Sequence, residues 1–316
     1  MKNSKRVFLF IEMVLGTMVI VMAYFMIKEK NREDMESISV IVQNSDDNQW
    51  KAFQYGLKKA AEDQGVELCV VGTDDTLSLE EQQNLIEQEI AKGTDGILVQ
   101  PIPGKESVKM LKKIEKKVPV MLIEYDIAGE KDAGEFPLMQ PNHYAMGSEL
   151  AKELLKDYNG NLQGKTFGFV TQSMDSQAFK KRFRGFTETL QGRDIEYLWT
   201  VTQGLEEQPK VDFVIALDDS SLIRAGETAR ANNLHGALIY GIGKSTEAVY
   251  YLDIGIVSYL IVPDEFNMGY EGVAEMSKKI KHSLYKIQGK EVSYTPLRHE
   301  TLFSKENQEL LFIMSQ

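Results

Sequence analysis

Three acidic pairs, Asp46-Asp47, Asp74-Asp75 and Asp218-Asp219, each stand just after a short apolar run. In two places acids and amides are joined by an aromatic ring. Asp47-Asn48-Gln49-Trp50 follows the first run and Glu124-Tyr125-Asp126 follows the fourth. Aromatic faces can stack on the C–H face of a sugar ring, while carboxylates and amides satisfy its hydroxyls, so this mixture suits a small polar ligand in a concave site. Simpler roles compete: Asp74-Asp75 as a turn cap, Trp50 as a core residue of a first helical turn, Tyr125 as a solvent-exposed loop aromatic. Signatures of catalysis are absent: no G-x-S-x-G, no G-x-x-x-x-G-K-[ST] and no H-E-x-x-H occurs. The four histidines, His143, His235, His282 and His299, lie in unrelated segments without metal-ligand spacing. The expectation is a binding protein rather than an enzyme, without cofactor or metal.

The apolar runs are strands alternating with helices. Ile38–Val42, Leu68–Val71, Ile97–Val99 and Val120–Ile123 are short and rich in β-branched residues. Between them, Trp50–Gln64, Leu79–Lys92 and Lys105–Lys116 have apolar residues at helical spacing, and Gly65 and Gly93 end the first two. The pattern restarts after Gln140: helices Tyr144–Tyr158, Gln177–Leu190, Ser220–Asn232, Thr246–Asp253 and Phe266–Ile287 alternate with strands Phe167–Val170, Ile195–Trp199, Val211–Ile215, Ala237–Ile242 and Ile256–Val262. A last strand is expected at Arg298–Phe303. Strands alternating with helices predict mainly parallel sheets covered on both faces. The expected fold is α/β, two Rossmann-like lobes of about five strands each. Ligands of open α/β sheets bind beyond the carboxyl ends of the strands, which places Asn48, Trp50, Glu124, Tyr125 and Asp218 on the side where the lobes would meet.

With 316 residues, 43% apolar and 26% charged, the chain is long enough for about two globular domains. Its net charge is −11, and residues 1–36 hold six basic and five acidic groups, so the remainder carries −12. A body this acidic argues against nucleic-acid binding. The one cysteine, Cys69, excludes an internal disulfide. Val7–Ile27 is a 21-residue apolar stretch broken only by Glu12, long enough to cross a bilayer. It ends without an A-x-A cleavage pattern and without a cysteine to accept a lipid, so an uncleaved transmembrane anchor is expected. Residues 1–6 would be cytoplasmic, 28–36 a linker, and the large domain extracytoplasmic, although the flanking basic residues are nearly balanced. Glu12 either reaches the headgroups or contacts a basic residue on a partner's membrane helix.

The sequence resembles the type 1 periplasmic binding proteins, in particular their ribose/galactose-type sugar-binding group, over about 37–316. The resemblance rests on Ile38–Gln43 leading to Asn48-Gln49-Trp50, Gly56, Gly93–Pro101, Val118-Pro119-Val120, Arg182–Phe186 and Met268-Gly269-Tyr270. It implies two lobes joined by three hinge crossings, near 139–142, 262–265 and 289–296, closing on a ligand between them. The lobes would then be 37–141 with 264–290, and 142–263 with 291–316. The family's sugar-gripping Asp-Arg corresponds to Glu124-Tyr125, its helix arginine to Lys180 and its Asn-Asp to Asp218-Asp219. An aspartate expected near Gly243 is missing, and a usual glutamine is Pro263. The DNA-binding relatives carry a helix-turn-helix where this chain has its apolar stretch. The resemblance implies a carbohydrate-binding protein, either a sensor for a membrane partner such as a histidine kinase or the substrate-binding component of an ABC-type sugar importer.

Length alone marks a further departure. Only the eleven residues Thr200–Lys210 join two second-lobe strands. A parallel crossover usually needs about a dozen or more, with a helix. Either the uncovered apolar face docks a partner (a second copy, or the outer domain of a kinase or permease), or the apolar tail Leu302–Met314 folds over it.

Overall fold

A computed structural model describes residues 13–22, 35–45, 48–73, 77–124 and 136–315. The first sheet contains β1 (Ser37–Ile41), β2 (Glu67–Val70), β3 (Gly96–Val99), β4 (Val120–Ile123), β5 (Leu138–Pro141) and β11 (Lys290–Val292). They lie in the order β11-β5-β4-β3-β1-β2, and every pairing is parallel. The second contains β6 (Lys165–Val170), β7 (Ile195–Val201), β8 (Phe213–Ala216), β9 (Leu238–Ile242), β10 (Val257–Pro263) and β12 (Tyr294–Leu297). Their order is β12-β10-β9-β8-β6-β7, and only β10–β12 is antiparallel. The polypeptide changes sheet three times: after β5, after β10 and between β11 and β12.

Helices α1 (Lys51–Gln64), α2 (Leu79–Lys92), α3 (Lys105–Ile114) and α8 (Glu265–Lys281) cover the first sheet. Helices α4 (His143–Asp157), α5 (Gln177–Thr189), α6 (Asp219–Arg230) and α7 (Thr246–Asp253) cover the second. Local signals set their ends. Ser78 and Glu81 form a capping box at the start of α2, and left-handed Gly93 stops it. Each lobe has one helix pair in very close contact. A Cβ on Gly56 would sit 2.0 Å from the Phe266 carbonyl oxygen, and one on Gly269 2.3 Å from that of Phe53, so α1 and α8 need both glycines. In the second lobe α4 and α5 meet the same way, through Gly147 against the Arg182 carbonyl and Gly185 against that of Tyr144. Each sheet has one apolar cluster on each face.

Each sheet has six strands, where about five were expected. The additional ones are short and poorly marked: β5 contains Gln140 and Pro141, β11 begins Lys290-Glu291, and β12 contains Pro296, tolerable on an edge. The strand expected at Arg298–Phe303 does not form. That segment is a 3-10 turn at His299–Thr301, because the edge strand ends at Leu297 and Arg298 is drawn to Glu153 at 2.6 Å and Asp157 at 2.8 Å on α4. The last long helix stops at Lys281, short of Ile287.

The short β7–β8 connection holds only a 3-10 turn, Leu205–Glu207. The tail fills the gap. Leu302 and Met314, the latter at the end of α9 (Gln308–Met314), are buried with Leu205, Val211, Val214 and Ala216, and Leu310 and Leu311 pack beside them. A docked partner is therefore not needed to cover this face, and that expectation is corrected.

Residues 13–22 are helical, with large apolar side chains such as Met13, Val19 and Ile20 well exposed. Among the described residues no helix is long and apolar enough to cross a membrane. The rest of the expected span, with Glu12, lies outside the described residues.

Candidate functional site

The carboxyl ends of both sheets face a polar cleft between the lobes, with a cavity of about 560 Å³. The first lobe contributes Gln43, Gln49, Trp50, Gln100, Glu124 and Glu265, and the second contributes His143, Arg182, Asp218, Asp219 and Lys244 among others. Trp50 ends a 3-10 turn, Asn48–Trp50, that leads into α1. Its indole N–H donates to the Gln43 carbonyl at 3.1 Å, and it is 2% exposed. Glu124 directly follows β4 with φ of +46°, a left-handed conformation that residues with a side chain seldom adopt. Its backbone N–H donates to Met139 O at 3.0 Å, which fixes the turn and carries the carboxylate into the cleft.

On the other wall, Asp218 caps α6 through Ser221 N and accepts from Thr171 Oγ1 at 2.9 Å and Gln172 N at 2.7 Å. Its carboxylate thus ties the ends of β6 and β8 together while lining the cleft. Asp219 accepts from the backbone N–H groups of Lys244 at 2.6 Å and Ser245 at 2.9 Å, and from the Ser245 hydroxyl. This fixes the turn after β9 from which Lys244 projects. Arg182 donates from Nε to His143 Nδ1 at 3.2 Å and from Nη1 to the Leu217 carbonyl. Burial first, and then the Arg182 charge, hold the His143 pKa well below its ordinary value, so the imidazole is a neutral acceptor.

Lys244 crosses the cleft. Its ammonium is 3.5 Å from Glu124 Oε1, 3.5 Å from Glu265 Oε1 and 4.3 Å from the centre of the Trp50 ring. Burial opposes its charge, but the carboxylates of Glu124, Glu265 and Asp219 outweigh it and raise the pKa. Burial also pushes Glu265 up to about 8, against the pull of Lys244. Glu265 is 2% exposed, and neither of its oxygens has a hydrogen-bond donor. The 3.5 Å contact with Lys244 is therefore an ion pair without hydrogen-bond geometry.

Of the residues singled out from the sequence, Trp50, Glu124 and Asp218 are brought together in the cleft. Asn48 is exposed at the start of its turn and lies outside the lining. Tyr125 lies outside the described residues. Lys180 is a correction: its ammonium donates to the Asp175 carbonyl at 2.7 Å, away from the cleft. Two residues along a helix turn about 200°, so Arg182, not Lys180, faces inward from α5. The Trp50 ring face, expected to stack on a ligand, is occupied by Lys244. Sequence reasoning missed Lys244, Glu265 and Arg182. The strand-end rule could have found Lys244, which follows Gly241-Ile242-Gly243, and Glu265, the first residue of α8 after a crossing. Among the described residues no group of three or more His, Cys, Asp or Glu could hold a metal ion.

A model of the periplasmic binding protein domain matches residues 38–283. The chain belongs to this family. The folds of solved members agree with it. GanP, a glucose-galactose binding protein from Geobacillus stearothermophilus, is 20% identical with a TM-score of 0.72, the match covering 85% of this chain and 99% of GanP. A carbohydrate transporter solute binding protein from Agrobacterium radiobacter, solved with D-arabinose, is 18% identical with a TM-score of 0.72, over 88% and 99% of the two chains. A XylFII–LytSN complex gives 18% identity and a TM-score of 0.69, over 84% of this chain and 98% of that one. At these identities the likeness shows the fold. No curated protein matches the sequence.

Proposed function

We propose that this member of the family is an extracytoplasmic carbohydrate-binding protein, held at the membrane by residues 7–27, which reports ligand capture to a membrane signalling partner. The observation that carries the binding role is the cleft itself: Arg182, Gln43, Gln100 and Asp218 offer donors and acceptors from both lobes around a volume that accommodates a monosaccharide. Ligands so held draw lobes together, and the changed outer surface is what a partner reads. GanP and the D-arabinose complex support a sugar as ligand, and the XylFII–LytSN complex supports a second protein as partner. The exposed apolar side chains of 13–22 support the anchor, and the ion-paired cleft, which differs from a plain sugar grip, supports sensing over transport.

Titration calorimetry of the full-length protein with D-arabinose, D-galactose and D-glucose tests the reading. At least one is expected to bind with Kd below about 1 mM, and Arg182→Ala to weaken it by about tenfold or more. No heat with any sugar would overturn it. Cross-linking in cells should then recover a histidine kinase; recovery of a permease instead would make the protein the binding component of an importer.

A further inference from the structure

The Lys244 ammonium rests in a box built entirely by the other lobe. Trp50 follows β1, Glu124 follows β4 and Glu265 opens α8, while Lys244 comes from the turn after β9. The indole face lies 4.3 Å from the nitrogen and a carboxylate oxygen lies 3.5 Å away on each of two other sides. An aromatic face combined with carboxylates is the chemistry that recognises an organic ammonium, since the ring quadrupole and the negative charges both favour a cation. Glu265 supplies the independent sign that the box is built for more than the lysine. It is 2% exposed, is aimed into the cleft, and has no hydrogen-bond donor on either oxygen. Buried polar atoms left in that state are uncommon and ask for a donor from outside the protein.

We infer that the Trp50–Glu124–Glu265 box is an ammonium subsite and that Lys244 is its resident in the ligand-free protein, keeping the place of a ligand amine. When the lobes part, Lys244 withdraws with the second lobe and leaves two carboxylates and a ring face uncompensated. A polyhydroxylated primary amine, an amino sugar, fits the vacated box and presents its hydroxyls to Arg182 and the amides of the cleft. Neutral sugars reach the cleft without filling the box. Lys244 is thus a specificity-determining residue, weakening every ligand that must displace it. The inference rests on the reading of the cleft as a carbohydrate site.

Calorimetry of the full-length protein with D-glucosamine, N-acetyl-D-glucosamine and D-glucose decides it. N-acetylation removes the charge while keeping the ring. With the wild-type protein, D-glucosamine is expected to bind more tightly than the other two. Lys244→Met keeps the aliphatic stem and empties the box, and should tighten D-glucosamine by about tenfold or more while changing D-glucose little. Glu265→Gln should remove the preference. Lys244→Gln serves if the methionine variant does not fold, and thermal shifts of the wild-type protein with the three sugars need no variant. Equal affinities for D-glucosamine and D-glucose in wild type and variant would overturn the ammonium subsite and leave the carbohydrate reading standing. No binding by any of the three, or by the pentoses and hexoses above, would overturn the carbohydrate reading itself.

Discussion

The two lobes solve the same packing problem with different parts. In both, a glycine pair lets two helices touch backbone to backbone: Gly56 with Gly269 in the first lobe, Gly147 with Gly185 in the second. In both, strand ends carry polar residues to the shared cleft. They differ on one face of the sheet. In the first lobe, α2 bridges β2 and β3 and buries Ile86 against Ile41, Ile97 and Val99. The second lobe has no such helix between β7 and β8, and Leu205, Leu302 and Met314 do the same work from a short turn and the C-terminal tail. A parallel sheet needs both faces covered, but the cover need not come from the crossover it belongs to. The substitution has a mechanical consequence. Phe312 on α9 reaches Tyr55 of the first lobe, with ring centres 6.5 Å apart, and Tyr55 contacts Phe266 beside the second crossing. The borrowed cover therefore also touches the hinge.

The strongest way to break the parallel between the lobes is at the glycines. Gly147→Val would press a side chain onto a backbone carbonyl 1.8 Å from the new Cβ, and Gly56→Val would do so at 2.0 Å. Both lie beyond the roughly 1–3 kcal/mol of ordinary overpacking, and loss of cooperative folding is expected in circular-dichroism melts. If only one variant unfolds, the two joints are not equivalent. Next comes the borrowed cover. Leu302→Ala should cost about 2–4 kcal/mol in urea unfolding, comparable with Ile86→Ala in the first lobe, because both side chains are fully buried. A cost below about 0.5 kcal/mol, the range of surface substitutions, would show that the tail merely rests on the sheet.

A smaller effect involves both lobes through Glu265. The groups facing it are Lys244 and Arg182 from the second lobe and Glu124 from the first. Its pKa is raised by burial from 4.5 to about 8, so the folded protein holds this proton more tightly than the unfolded one. The associated stability is present below the unfolded value and is lost as pH rises through the folded one. Tm should fall between about pH 5 and 8.5 by an amount equivalent to a few kcal/mol at most, and Glu265→Gln should flatten the slope. A wild-type Tm that holds or rises over that interval would place Glu265 outside the bridge. The smallest effect separates two neighbours on α5. Lys180→Ala should change sugar affinity less than about twofold, within the roughly ±0.5 kcal/mol of a surface change, whereas Arg182→Ala weakens it.

Most of the architecture was legible because it rests on periodicity. Runs such as Val120–Ile123 and helices such as Thr246–Asp253 declare themselves by spacing, and Gly56, Gly185 and Gly269 marked the family before their backbone contacts explained why. Strands that complete a sheet by pairing alone, such as Lys290–Val292, were not legible, since edge pairing leaves little imprint on side-chain type. In the cleft, strand-end position identified Trp50, Glu124 and Asp218. It could not show that Lys244 would reach across to them, because that contact depends on how the lobes meet. Nor could position in a motif decide between Lys180 and Arg182, which lie on opposite faces of one helix.

The central claim is that a sugar is gripped from both lobes at once. Hydrogen–deuterium exchange of the full-length protein, with and without saturating D-arabinose, or whichever sugar gives heat in calorimetry, measures this directly. The expected result is simultaneous protection of the first-lobe segments around Gln43–Trp50 and Glu124 and the second-lobe segments around Thr171–Arg182 and Gly243–Ser245, all of which border the cleft. Protection confined to one lobe, or placed away from these strand ends, would contradict it.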